Sequence, residues 1–143
     1  MSKLKEIQGF AVLNLPADPL PFAQAQAASP YVGAWSSGGA LNTARSSSAG
    51  AGTQTASLVA GGSPTTVNSE EYNGSSWSEG NNLNSARSVL AGLGTQTAGL
   101  AFGGAQAPRA LSEEYDGTSW SEGNDLNQEG ESRVGAGTQT AGI

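Results

Sequence analysis

The sequence predicts an all-β protein assembled from about three copies of one four-stranded unit. Three observations carry that reading. The tetrapeptide Gly-Thr-Gln-Thr occurs at 52–55, 94–97 and 137–140, spaced by 42 and then 43 residues. Trp35, Trp77 and Trp120 keep the same two spacings, and so do Leu41, Leu83 and Leu126. The segments between these landmarks are short and broken by Gly-Gly, Asn-Gly and Asp-Gly, and none reads as a helix. A register shared along most of a chain is the signature of a repeat architecture, whose units are too small to bury a core alone.

Each unit divides into four strands. The first runs from Arg45 or Arg87 to the Gly-Thr-Gln-Thr turn and is rich in small residues. The second covers Thr55 to Ala60, or Thr97 to Phe102, and stops at Gly61-Gly62 or Gly103-Gly104. The third surrounds Glu70-Glu71-Tyr72, or Glu113-Glu114-Tyr115. Asn73-Gly74 and Asp116-Gly117 follow as hairpin signals, expected to form tight turns with positive φ at both central residues. The fourth strand is centred on Trp77 or Trp120. The single extra residue of the 43-residue spacing falls between Gly104 and Glu113, in a turn. Four-stranded units of this length are propeller-type blades.

The domain division follows. Residues 1–29 form an N-terminal anchoring arm and a Pro- and Ala-rich linker; residues 30–143 form the β-repeat domain, with units around 30–77, 78–120 and 121–143. Tyr31 to Trp35 resembles Tyr72 to Trp77, so the repeat opens on strands three and four. Ile143 aligns with Leu58 and Leu100, so it stops within a second strand. Joined, the two ends make one blade. Three blades are too few for a closed ring in one molecule. Three arrangements remain open: several chains pool their blades as a homo-oligomer, the chain belongs to a longer one, or the units pack in another β arrangement. An uncovered edge strand favours assembly. In the arm, Pro16, Pro19 and Pro21 impose an extended run, and the segment is expected to dock on a neighbouring subunit or partner.

Composition excludes several classes. The 143 residues carry 12 acidic and 6 basic side chains, a net charge of −6, with no basic stripe. Nucleic-acid binding needs clustered cations, so it is not expected. The chain has no Cys, hence no disulfide and no thiolate metal site. No stretch approaches the ~20 apolar residues of a membrane span, so no membrane insertion is expected. Lys3, Lys5 and Gly9 to Leu13 resemble the start of a secretion signal, but Asn14, Pro16 and Asp18 interrupt it.

Little catalytic equipment is visible. With no His and no Cys, the commonest general base and the strongest nucleophile are missing. The adjacent pairs Glu70-Glu71 and Glu113-Glu114 lie on strands, so their members point to opposite faces and cannot act together as a glycosidase pair. One member of each is expected in an ion pair with Arg45 or Arg87. In the third copy Gly130 stands where those arginines stand, so that unit does without the Arg or borrows Arg133. Asp116-Gly117 and Asn124-Asp125 do not match a calcium loop, and a turn role suffices. No cofactor is expected. Trp35, Trp77 and Trp120, with Tyr72 and Tyr115, are candidate glycan-stacking or packing anchors.

Three stretches carry a family resemblance: Ala49 to Gly62, Glu70 to Trp77, and Leu83 to Arg87. With them, residues 30–143 resemble the kelch-like repeat structural proteins of bacteriophage virions, especially of marine phages. The resemblance implies propeller-type blades and a place in the virion: a tail, neck or fibre-associated structural protein with a surface domain, contacting other virion proteins through residues 1–29. Capsid decoration is the nearest alternative. An oligomeric lectin-like module that recognises host surface glycans is the alternative of another class.

Overall fold

The computed structural model describes residues 37–142. The arm, Tyr31, Trp35 and Ile143 lie outside them. Among the described residues the protein is all-β, with ten strands and no helix. The first antiparallel sheet contains β1 (Ala49–Thr53), β2 (Ala56–Ala60), β3 (Ser69–Tyr72) and β4 (Trp77–Glu79), in that order. The second contains β5 (Ala91–Thr95), β6 (Ala98–Phe102), β7 (Ser112–Tyr115) and β8 (Trp120–Glu122). A hairpin of β9 (Gly137–Thr138) and β10 (Ala141–Gly142) follows. Both sheets are open meanders.

The registers repeat from sheet to sheet. Ala51 faces Leu58 and Tyr72 faces Trp77; Leu93 faces Leu100 and Tyr115 faces Trp120. The loop between the second and third strands closes through Gly61 N–H to the Asn68 carbonyl (2.9 Å), and through Gly103 N–H to that of Leu111 (2.9 Å). The extra residue therefore lies in that loop.

Two expectations need correction. The first strands begin at Ala49 and Ala91, four residues after the arginines. Arg45 and Arg87 instead precede a kink at Ser47 (φ 54°) and Val89 (φ 58°), where no strand continues. The Asn-Gly and Asp-Gly segments are not two-residue turns. They belong to four-residue loops in which only Gly74 (φ 92°) and Gly117 (φ 89°) take positive φ. The side chain explains the difference. Asn73 Oδ1 accepts from Ser75 N–H (2.9 Å) and Ser76 N–H (3.0 Å), and Asp116 Oδ1 from Thr118 N–H (2.8 Å) and Ser119 N–H (2.7 Å). These Asx turns hold the loop without a left-handed first residue. The same backbone bonds hold the exposed Asp116 carboxyl below its ordinary value.

The core lies between the sheets. Ala49, Leu58 and Ala60 from the first meet Ala101, Tyr115 and Trp120 from the second, with Leu83 and Leu90. A smaller cluster of Ala91, Leu93 and Phe102, with Leu100 and Leu126 against it, covers the other face of the second sheet. Small side chains allow this close stacking. A Cβ on Gly92 would stand 2.8 Å from the Gly50 backbone, and one on Gly135 would stand 3.1 Å from the Gly92 carbonyl.

Candidate functional site

The most elaborate polar constellation is a buried ion-pair node that occurs twice. Glu113 sits on β7 and is 1% exposed; Arg87 is equally buried. Arg87 Nη2 donates to Glu113 Oε1 at 2.9 Å. Its Nη1 donates to the carbonyls of Gly103 (3.1 Å) and Leu111 (2.8 Å). Asn84 N–H and Nδ2 reach Glu113 Oε2 at 2.7 and 3.0 Å, and Ser85 N–H reaches Oε1 at 3.3 Å. Asn84 Nδ2 also donates to the Trp120 carbonyl (3.1 Å). The carboxylate is thus wrapped by donors, as a buried charge requires. Burial pulls the Arg87 guanidinium down, and the charges of Glu113 and Glu122 oppose that.

The first unit repeats the node. Arg45 pairs with Glu70 and donates to the Asn68 carbonyl at 3.1 Å. Asn42 N–H (2.6 Å) and Thr43 N–H (3.2 Å) complete the Glu70 shell. The motif Leu-Asn-x-Ala-Arg is therefore a carboxylate clasp in which Asn and Arg close on the Glu of a distant strand. The role of Asn42 and Asn84 was missed in the sequence. Its only signal was their fixed place three residues before the Arg.

In the third unit Gly130 keeps the backbone role of Arg87. Its carbonyl accepts from Gly104 N–H (3.1 Å), as that of Arg87 accepts from Gly62 N–H (2.9 Å). The guanidinium of Arg133 fills the adjoining space: a Cβ on Gly130 would stand 2.6 Å from its Nη2. Arg133 donates to the carbonyls of Gln128 (2.7 Å) and Glu129 (2.9 Å) and forms no ion pair among the described residues.

The aromatic candidates form two pairs. Tyr72 and Trp77 have ring centroids 5.0 Å apart, and Tyr115 and Trp120 have theirs 4.9 Å apart. Trp120 lies in the core at 7% exposure and Tyr115 at 2%, so neither ring offers a free face. Trp77 is half-buried, and its Nε1 donates to the Gly39 carbonyl (3.0 Å). The Tyr115 hydroxyl donates to Glu71 of the preceding sheet. Burial and that carboxylate push the phenol well above its ordinary value.

A second repeated contact, also unread in the sequence, joins consecutive units. Gln96, at the tip of the β5–β6 hairpin, donates through Nε2 to the carbonyls of Ser57 (3.1 Å) and Tyr72 (2.8 Å). Gln139 does the same to Gly99 and Tyr115 (3.0 Å each). The Gln of Gly-Thr-Gln-Thr is therefore a latch between units.

A polar groove of about 310 Å³ opens on the surface, bordered by Glu71, Glu79, Asn81, Tyr115 and Thr118. Its two acidic side chains come from one sheet. Among the described residues no three His, Cys, Asp or Glu side chains converge to hold a metal ion. No protein-family model matches the chain, and no curated protein matches it significantly.

Proposed function

We propose that this protein is a non-catalytic structural component of a phage particle, associated with the tail, neck or fibre, and that its two sheets and hairpin are blades of a propeller-type array completed by further copies. The observation that carries the reading is where its polar chemistry is used. The elaborate constellations are buried clasps and inter-unit latches, in which the Arg45 and Arg87 Nη groups and the Gln96 and Gln139 amides find their acceptors inside the fold. A surface domain that must stay rigid is built this way; an enzyme needs reactive groups facing a cleft. The resemblance to phage repeat proteins supplies the particle, and residues 1–29 supply the proposed attachment to other virion proteins. Capsid decoration would use the same domain at another position.

Quantitative peptide mass spectrometry on purified particles tests this reading. The chain should appear at a fixed copy number that is a multiple of three, six or twelve. Its absence would remove the particle role.

The polar groove beside Tyr115 favours a second reading, recognition of a host surface glycan. Hydroxyl-rich ligands suit Glu79, Asn81 and Thr118 better than they suit the buried Trp120. Glycan binding that Glu79→Ala weakens, with the fold intact by circular dichroism, would support it.

A further inference from the structure

We infer that the outer face of the first sheet binds the β9–β10 hairpin of a second copy, head to tail, through the contact that already joins one unit to the next. The inference deepens the assembly proposed above and rests on reading the units as one array. Four features of that contact recur in register.

The first is a ladder of backbone bonds at the kinks. Val89 N–H donates to the Ser47 carbonyl (2.8 Å), and Ser132 N–H donates to the Val89 carbonyl (3.1 Å). Ser47, Val89 and Ser132 share positive φ of 54°, 58° and 54°. Each unit therefore offers a donor backward and an acceptor forward. The series leaves Ser47 N–H as the next donor and the Ser132 carbonyl as the next acceptor.

The second is the Gln latch. Gln96 and Gln139 each grip a second-strand carbonyl of the preceding unit, those of Ser57 and Gly99. Gln54 holds the same place in the first unit and is exposed. The carbonyl that continues the series is that of Gly142.

The third is the glycine approach. Gly92 lies against Gly50, and Gly135 against Gly92. A Cβ on Gly50 would meet nothing within 4 Å among the described residues. Its counterpart on a second copy is Gly135.

The fourth is an exposed apolar side chain. Val134 occupies the position of Ala49 and Ala91, which are 4% and 5% exposed beneath the following unit, yet Val134 is 87% exposed. A first sheet laid on the hairpin would cover it as the second sheet covers Ala49. Two complementary faces of one chain make a heterologous contact, which closes into a ring or grows by addition.

The test uses the full chain and two single variants. Gly50→Val places a strand-compatible side chain in open space on one copy and blocks the approach of another. Val134→Asp places a charge on the opposite face, where a lone copy leaves it in water. By sedimentation velocity at tens of micromolar, the wild type should travel as an oligomer and each variant as a single copy with an unchanged circular dichroism spectrum. An equal mixture of the two variants should form one-to-one pairs, because each retains the face the other has lost. A wild type that sediments as a single copy, a variant that keeps the wild-type mass, or a mixture that stays single would overturn the inference. These failures leave incorporation into particles untouched, so they are separate from failure of the structural role.

Discussion

The two four-stranded sheets have nearly the same sequence and the same internal geometry, yet they differ in burial. Tyr72–Trp77 and Tyr115–Trp120 pack with ring centroids 5.0 and 4.9 Å apart at 38° and 36°. Tyr72 and Trp77 are half-buried, whereas Tyr115 and Trp120 lie in the core. The second sheet has neighbours on both faces: the first sheet on one, and on the other the β9–β10 segment, where Gly142 lies against Leu93 and Gly135 against Phe102. A unit's own residues thus set its shape, while neighbours set how much water it loses. In the proposed array, stability is a sum of unit and interface contributions.

Perturbing equivalent positions sharpens that comparison. The largest effect is expected at the clasp. Glu113→Ala strands the buried Arg87 and should cost about 3–5 kcal/mol, read by urea unfolding. Trp120→Ala should cost about as much, ~3–5 kcal/mol, for a buried aromatic, and Trp77→Ala distinctly less. Equal losses at the two Trp positions would show that Trp77 is covered as fully as Trp120.

A smaller effect is expected at the latch. Gln96→Ala leaves the Ser57 and Tyr72 carbonyls without that donor and should cost about 1–2 kcal/mol. Gln54→Ala should leave the stability of a dilute single copy unchanged and weaken association.

The smallest effect is the pH dependence of Tyr115. Its hydroxyl titrates above the ordinary value of 10.0, because of burial and then Glu71. A raised value stabilises the fold fully below the unfolded value and loses that contribution as pH rises through the folded one. The wild type should therefore lose stability above pH ~10, and Tyr115→Phe should flatten that alkaline limb while costing about 1 kcal/mol at neutral pH.

Much of the fold was legible because the repeat marks it. Gly61-Gly62 and Gly103-Gly104 end second strands, and Trp77 and Trp120 open fourth strands. The start of the first strand was not legible. Small residues such as Ser46 to Ser48 read alike as strand or kink, and the kink is set by a bond to the neighbouring unit. The turn at Asn73 was misread because its side chain does the work assigned to a left-handed backbone. Of the polar site, the ion pairs followed from charge and strand alternation. The Asn clasp and Gln latch did not. The clasp carboxylates are reached by the loop before each first strand folding back onto the third strand of the same sheet, the latch carbonyls are brought near only by the stacking of units, and a backbone carbonyl leaves no trace in a sequence.

Amide exchange followed by NMR on the full chain at two concentrations tests most directly whether one contact joins every unit. Val89 and Ser132 N–H should be protected at both. Ser47 N–H should be protected at high concentration and lose that protection on dilution, as its donor role passes from a second copy to water. Ser47 exchanging at the unprotected rate at both concentrations, beside protected Val89 and Ser132, would contradict the account.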